Sequence, residues 1–242
     1  MHISLTAEKL FTLGPLGVTN SLLTTWIVML FLTVMAMLIK VRLSERPGTL
    51  QVMVEGLIGG IYELFESILG SKTAKFFPLV GTIFIFLIFL NWAGLLPGVG
   101  SIGLEKIRGE EHEFIPLFRA GTADLNTTLA LALIAVIAIQ LVGIKSLGIS
   151  YFQKFFNFKS PIYFYVGILE LISEFSKIIS FAFRLFGNVF AGEVLLTVIA
   201  FLIPVIAPVP FLGLEIFVGF IQALVFSMLT AVFINAATVK EH

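Results

Sequence analysis

The residue with the most distinctive chemistry is Arg184, in the middle of an otherwise apolar stretch, SFAFRLFGNVFAGE, from Ser180 to Glu193. A guanidinium stays protonated at physiological pH, so burial cannot neutralise it as it can neutralise a glutamate or a lysine. A cation at the centre of a bilayer costs from about 3 to above 10 kcal/mol, and such residues usually mark ion pathways. Arg184 must therefore be solvated or paired, and an ion pathway is the hypothesis that follows.

Polar residues of the same segment share one face with this arginine. At about 100° per residue, one broad stripe contains Glu170, Ser173, Glu174, Lys177, Ser180, Arg184 and Asn188. Acids, bases, hydroxyls and an amide together cannot face lipid, so the stripe lines water or faces another protein. The alternative is a polar network that only fastens the bundle. A purely structural network is a serious alternative for Ser173, Glu174 and Lys177, which are close enough along the helix to pair. It is a weak one for Arg184, which has no acid within one turn.

Two carboxyl groups are candidates for proton relays. Glu193 is nine residues beyond Arg184, about half a turn round an ideal helix, so it points to another face. In the next apolar run Glu215 and Gln222 are seven residues apart and share a face. A carboxyl group in apolar surroundings can take up and release a proton near neutral pH. The alternative is that the two glutamates form a structural pair that shares a proton.

The composition is that of an integral membrane protein. Of 242 residues, 58% are hydrophobic and 12% charged, with a mean hydropathy of +1.07. Cysteine is absent, which excludes disulfides and thiolate metal sites, and a net charge of zero gives no argument for nucleic acid as a partner. The histidines His2, His112 and His242 lie in the tails or a loop, so we expect no metal and no cofactor.

The apolar runs predict an all-α fold with about five membrane-embedded helices plus an amphipathic surface helix, in a single membrane domain, 1–242. The predicted elements are a first span at 18–39, the surface helix at 50–69, a second span at 76–97 ended by Pro97, a third span at 123–144, a long helix at 161–203 and a last helix at 211–239. Residues 1–17 are predicted to form a short exposed N-terminus without a cleavable signal peptide. Pro204, Pro208 and Pro210 are expected to interrupt the chain before the last helix.

Two basic clusters set the predicted orientation. They are Lys40, Arg42 and Arg46 after the first span, and Lys145, Lys154 and Lys159 after the third. The positive-inside rule places both on the cytoplasmic side, with the N-terminus outside and the C-terminus, Lys240–His242, inside. The loop from Ser101 to Gly121 mixes charges of both signs and suits the outer side; a solvated loop is favoured there over a metal site around His112. Asp124 is predicted to cap the third span near its outer mouth.

Several motifs together resemble a known family. RLFGNVFAGE, preceded by LELISEFSKIIS and followed by GFIQALVFSMLTAVFI, resembles the a-subunit (subunit 6) family of the F-type ATP synthase membrane sector. NWAGLLPG, from Asn91 to Gly98, and TADLNTT, from Thr122 to Thr128, resemble earlier motifs of that family in the right order. The likeness covers most of the chain from about Gly48 onward, whereas the first span is generic.

The resemblance implies the stator subunit of a proton-driven rotary motor. Such a subunit stands in the lipid bilayer beside a ring of c subunits, with the peripheral-stalk b subunits and the rest of the ATP synthase complex, and does not itself bind ATP. Two offset aqueous half-channels meet the ring, and the arginine matching Arg184 separates them. The last two helices are expected to be strongly tilted and to form a long hairpin along the ring.

The resemblance also sorts the polar residues by role. It implies that Asn188 and Gln222 are neighbours of the arginine. It places Glu193 and Glu215 on the outer path, with Asn91 and Asp124 as further candidates there. Ser180 and Glu170 are then candidates for the inner path. Some relatives carry histidine at one of the two outer-path positions. Glutamate at both implies a relay made of carboxyl groups alone.

Two other functions fit parts of the sequence. A secondary transporter uses a buried arginine such as Arg184 to bind an anionic substrate between helices, although that class usually has two related halves and no internal repeat is found here. A purely structural scaffold leaves Arg184 in hydrocarbon without a role. We expect the transported ion to be the proton, with sodium as the alternative, because the choice of ion depends largely on the binding site of the ring, which is not part of this chain. We expect a bacterial plasma membrane, with an organellar inner or thylakoid membrane as the alternative, since no transit peptide is found.

Overall fold

The computed structural model describes residues 6–14, 16–45, 47–108, 111–155, 160–204 and 206–239, and helices dominate it. The α-helices are α1 (Asn20–Arg42), α2 (Thr49–Leu69), α3 (Thr73–Ala93), α4 (Leu125–Leu147), α5 (Pro161–Leu202) and α6 (Pro208–Ala237). Short 3₁₀ turns span Gly70–Lys72, Gly121–Ala123 and Gly148–Lys154. Two antiparallel hairpins pair β1 (Lys9–Leu13) with β2 (Leu16–Thr19) and β3 (Gly103–Arg108) with β4 (Glu111–Pro116). The predictions for His2, Arg46, Lys159 and Lys240–His242 fall outside the described residues.

Within the described chain, five helical stretches are long and apolar enough to cross a membrane. They are α1, the continuous stretch of α2 and α3, α4, α5 and α6. The prediction of an all-α integral membrane protein is therefore confirmed for the embedded part. The hairpins were not predicted.

The last two helices exceed the thickness of a bilayer. At 1.5 Å per residue, the 42 residues of α5 extend about 63 Å and the 30 residues of α6 about 45 Å, against roughly 30 Å of hydrocarbon. The two helices are antiparallel, because Gly192 approaches Glu215 while Phe181, earlier in α5, lies 4.9 Å from the ring centroid of Phe226, later in α6. A helix of this length must tilt or extend beyond the hydrocarbon layer.

Small and aromatic side chains form the core between α3, α4, α5 and α6. Its fully or nearly buried members include Val80, Phe84 and Leu87 of α3, Ala132, Ala135 and Ile139 of α4, Phe181, Ala182 and Leu185 of α5, and Ala223, Phe226 and Ile234 of α6. Alanines let helix backbones approach closely, and aromatic rings fill the remaining volume. Large apolar side chains of α1 and of the first half of α2, such as Leu30 and Leu57, are exposed, as expected for contact with lipid.

The two ends of the bundle differ. Both hairpins, the starts of α1, α4 and α6 and the ends of α3 and α5 lie at one end, here called the hairpin end. At the opposite end Lys72 donates hydrogen bonds to Asn235 Oδ1 (3.2 Å) and Thr238 Oγ1 (2.7 Å), and Asn235 donates to the Ile68 carbonyl (3.0 Å). These bonds join the end of α2 to the end of α6.

The second predicted span ends earlier than the sequence suggested. α3 runs from Thr73 to Ala93 rather than 76–97, so Pro97 does not end it. The next residue, Gly94, packs so closely on Ala120 that a Cβ there would collide with the alanine side chain. Leu95 N–H then bonds to the Trp92 carbonyl at 2.9 Å, which closes a turn. A tertiary contact therefore sets this helix end.

The last helix begins at Pro208, so the prediction of an interruption up to residue 210 was wrong. Pro208 and Pro210 lie in the first turn of α6, where backbone N–H groups have no partner within the helix. The prolines therefore start the helix. The remaining bounds shift from 18–39 to Asn20–Arg42, from 50–69 to Thr49–Leu69, from 123–144 to Leu125–Leu147 and from 161–203 to Pro161–Leu202.

The segments predicted as an exposed N-terminus and a solvated loop contain the two hairpins. β1 and β2 lead directly into α1, whose N-cap Thr19 accepts a hydrogen bond from Leu22 N–H at 3.2 Å. In the other hairpin Gly103 pairs with Pro116, and a Cβ on Gly103 would collide with the Ile115 carbonyl. Backbone pairing between strands, rather than solvation alone, thus organises the loop at 101–121.

Candidate functional site

A cavity of about 220 Å³ at the hairpin end contains both candidate relay carboxyl groups. It lies between α3, α5, α6 and the segment that joins α3 to α4. Its polar lining residues are Asn91, Arg119, Glu193, Thr197 and Glu215. The structure thus brings together three residues that the sequence singled out and adds an arginine that it did not.

Glu215 is buried, with 8% of its surface exposed, and its carboxyl group rests against the backbone of α5. A Cβ at Gly192 would occupy the position of this carboxyl group. No hydrogen bond or ion pair joins Glu215 to another residue of the described chain. Within the described chain, its carboxyl group therefore lines the cavity without a side-chain partner.

Glu193 has a fixed partner. Nε of Arg119 lies 3.1 Å from each of the two carboxylate oxygens of Glu193, although 74 residues separate the two side chains in the sequence. In the sequence, Arg119 is one of several charges of mixed sign in the outer loop. The only feature of the sequence that could have indicated a role for Arg119 is its position between that loop and TADLNTT, just before an apolar helix.

Asn91 lines the cavity, but its amide is already engaged. The amide nitrogen donates to the Gly219 carbonyl at 2.8 Å, and the amide oxygen accepts from Thr122 Oγ1 at 2.8 Å. Trp92 Nε1 donates to the Ile216 carbonyl at 3.0 Å, one turn earlier in α6. The end of α3 therefore holds α6 in place beside the cavity.

Asp124 is not among the cavity-lining residues. One carboxylate oxygen accepts from Asn126 N–H at 3.0 Å, which confirms the predicted cap of the third span. The other oxygen accepts from Ser21 Oγ at 2.9 Å and ties the start of α4 to the start of α1. Both oxygens of the carboxylate are thus committed to helix ends.

Asp124→Ala is expected to destabilise the chain by about 2 kcal/mol, because it removes a helix cap and the acceptor by which the buried Ser21 hydroxyl is joined to α4. Thermal unfolding of the detergent-solubilised complex measures the change. Ser21→Ala is the matched control, since it removes the same link between helices but keeps the cap, and should cost less. Equal losses in the two variants would contradict a capping role.

Arg184 lies on a different face of α5 from the cavity. Its side chain is exposed, about five turns from the nearer end of the helix, and Nη2 donates to Ser180 Oγ at 3.1 Å. No carboxylate of the described residues forms an ion pair with it. Asn188 and Gln222 are half-buried, and no hydrogen bond within the described chain joins either to the arginine.

The remaining acids of the stripe are paired. Glu174 binds Lys177 at 2.7 Å, as the network alternative predicted, and accepts from Gln140 at 2.8 Å. Glu170 binds Lys154 at 2.6 Å. Ser173 is exposed. The predicted stripe thus divides into a partnered part near the start of α5 and an exposed part around Arg184.

Tyr151, in the 3₁₀ turn after α4, extends this network by donating to Gln140 Oε1 at 2.7 Å. Burial, together with the negative charges of Glu174 and Glu170, raises the pKa of Tyr151 to about 12. The phenol therefore remains a hydrogen-bond donor throughout the physiological range. Among the described residues, no group of three or more acids and histidines is placed to hold a metal ion.

A bundle of apolar helices that holds two carboxyl groups in one cavity and exposes a permanent cation at mid-helix is a multi-pass membrane protein. A family model described as ATP synthase A chain matches residues 22–235, and the chain belongs to this family. It is accordingly a non-catalytic membrane-sector subunit of an F-type ATP synthase, a complex of ATP synthesis and proton transport.

Curated relatives agree with the family match. The chain is 37% identical to ATP synthase subunit a of Gloeobacter violaceus over 232 residues, which cover 95% of this chain and 88% of the relative. It is 34% identical to ATP synthase subunit a 1 of Syntrophotalea carbinolica, over 90% of this chain and 85% of that protein. With ATP synthase subunit a of Moorella thermoacetica the identity is 32%, over 93% of this chain and 94% of the relative.

Proposed function

We propose that this chain is the stator subunit of a rotary motor, which forms two ion half-channels against a c-subunit ring and couples ion flow to ring rotation. The observation that carries the proposal is the exposure of Arg184 at mid-helix without an ion pair among the described residues. A permanent cation at that depth needs a partner from outside the chain. A carboxyl group of a neighbouring membrane subunit satisfies it, because carboxylates form strong charge-assisted bonds with guanidinium.

The charge of Arg184 gives each step its direction. A fixed cation favours the ionised form of a nearby acid, so a protonated ring carboxyl that approaches it releases its proton. The same cation repels cations that would pass directly from one half-channel to the other. Because 100 mV supplies about 2.3 kcal/mol per charge, a leak at this point would dissipate the energy for rotation. The proton is the ion assumed, with sodium as the alternative.

The outer half-channel is assigned to the cavity at the hairpin end. Glu215 faces the cavity without a partner from the described residues, and Glu193 lies in its wall. Asn188 is one turn from Arg184 in the direction of Glu193, so it extends the polar route along α5. Gln222 supplies an amide from α6, two turns beyond Glu215.

The inner half-channel is assigned to the exposed polar part of α5 before Arg184. Ser180 accepts a hydrogen bond from the arginine, and Glu170 lies further toward the start of α5, where it pairs with Lys154. Both are partly or fully exposed, in contrast with the buried face that packs on α6. Ions released by the ring would leave along this face.

The orientation follows from charge. Lys40, Arg42, Lys72, Lys145 and Lys154 lie at the end opposite the hairpins, and the positive-inside rule assigns that end to the cytoplasm. The N-terminus is then outside and the C-terminus inside. We propose a bacterial plasma membrane, in line with the bacterial relatives, and peripheral-stalk b subunits as further partners.

Glu193→Gln is expected to slow ATP synthesis about tenfold, equivalent to 1.4 kcal/mol, because an amide cannot carry the negative charge that the carboxylate brings to the outer half-channel. The measurement is synthesis by the reconstituted complex under an imposed pH gradient, across a series of external pH values. Glu63→Gln on the exposed side of α2 is the matched control. Unchanged rates across the whole series would remove Glu193 from the pathway.

A further inference from the structure

We propose that Arg119 is a positioning residue of the ion pathway, which holds the Glu193 carboxylate in the cavity wall and leaves Glu215 as the group that exchanges protons. The proposal rests on the proposed function. It is carried by the contacts of the two carboxyl groups, which share one cavity but differ in their partners. Arg119 therefore contributes to the outer half-channel by positioning one of its two carboxyl groups.

The guanidinium of Arg119 is held on several sides. Its side chain is 7% exposed, it lies 5.8 Å from the ring centroid of Phe190, and Nη1 donates to the Thr6 carbonyl at 3.4 Å. The backbone N–H of the same residue donates to Thr24 Oγ1 at 3.3 Å. Contacts with the N-terminal segment, α1 and α5 thus fix the cation that faces Glu193, so the carboxylate is oriented by a rigid partner.

An ion pair in this position is poorly explained by stability alone. The Arg119 side chain is 7% exposed but that of Glu193 is 35% exposed, so the arginine carries most of the desolvation cost and a single pair of this kind adds little to stability. The pair instead gives the cavity a definite arrangement of charge. Arg119 sets a cation against Glu193, whereas no cation lies against Glu215 in the described chain.

The two carboxyl groups then have separate roles. Glu193, fixed by Arg119, supplies a carboxylate at a fixed position, and its negative charge when ionised attracts protons into the cavity. Glu215, pressed against Gly192, exchanges them. The charged groups that line the cavity are Arg119, Glu193 and Glu215, and the N-terminal segment that contacts the arginine carries Glu8 two residues after Thr6.

The test compares Arg119→Gln with Arg119→Lys in reconstituted complexes. Arg119→Gln is expected to lower synthesis several-fold at neutral pH and to move the rate profile to higher external pH, because Glu193 without its cation keeps a proton to higher pH. Arg119→Lys keeps the charge and should restore most of the rate and the normal profile. A lower amount of assembled complex with an unchanged profile per complex would show a purely structural role and overturn the proposal.

A double variant isolates the pair. If Arg119 acts through Glu193, Arg119→Gln combined with Glu193→Gln should be no slower than Glu193→Gln alone. Additive losses would overturn the proposal. A different result would contradict the proposed motor function itself, namely normal pumping by Arg184→Ala. An Arg119→Gln complex that behaves as wild type while Arg184→Ala is inactive contradicts this inference only.

Discussion

Arg184→Ala is expected to abolish coupled ion pumping while the complex still assembles. The arginine is exposed and makes one hydrogen bond, to Ser180, so its loss disturbs no packing within the described chain. Its charge, in contrast, acts on the ring carboxyl. Two charges 4 Å apart at an effective dielectric constant of 20 interact by about 4 kcal/mol, which corresponds to roughly a thousandfold in rate.

Inverted membrane vesicles that contain the whole complex provide the measurement. ATP-driven acidification should fall to background in Arg184→Ala, with subunit content unchanged on gels. Lys145→Ala removes one exposed basic residue in the last turn of α4, away from the hairpin end, and this variant should pump normally. Arg184→Lys keeps a charge but loses the planar fork, so it should retain only a small part of the activity. Normal pumping by the alanine variant would refute the stator assignment.

The helices were predictable because their determinants are local. Apolar runs long enough to span a bilayer predicted α1, α4 and α5 to within three residues at either end, and the carboxylate of Asp124 marked the start of α4. The end of α3 was not predictable in this way. It depends on the contact between Gly94 and Ala120, which are distant in sequence and approach only in the folded bundle.

The site shows the same division. Arg184, Glu193 and Glu215 stand out in the sequence because each interrupts an apolar run. Arg119 does not, since it follows a loop rich in charges and its partner is on another helix. Tertiary packing also decided which polar residues share a cavity.

Gly192→Ala is expected to reduce ATP synthesis about a hundredfold, because the new Cβ would take the position of the Glu215 carboxyl group. A displacement of about 1 Å at a reacting group is enough for an effect of that size. The carboxyl group is the end of the flexible Glu215 side chain, so it can move aside while the helices remain packed. Assembly, measured first, should therefore be close to normal.

Two variants separate displacement of the carboxyl group from a general effect of alanine. Gly213→Ala in α6 is the matched control, since no heavy atom lies within 4 Å of the Cβ it would add, and it should synthesise ATP normally. Glu215→Asp is one methylene shorter, so in combination with Gly192→Ala it should recover part of the lost rate. Normal synthesis by Gly192→Ala, measured per assembled complex, would mean that the position of the Glu215 carboxyl group is immaterial. That result would remove Glu215 from the outer half-channel.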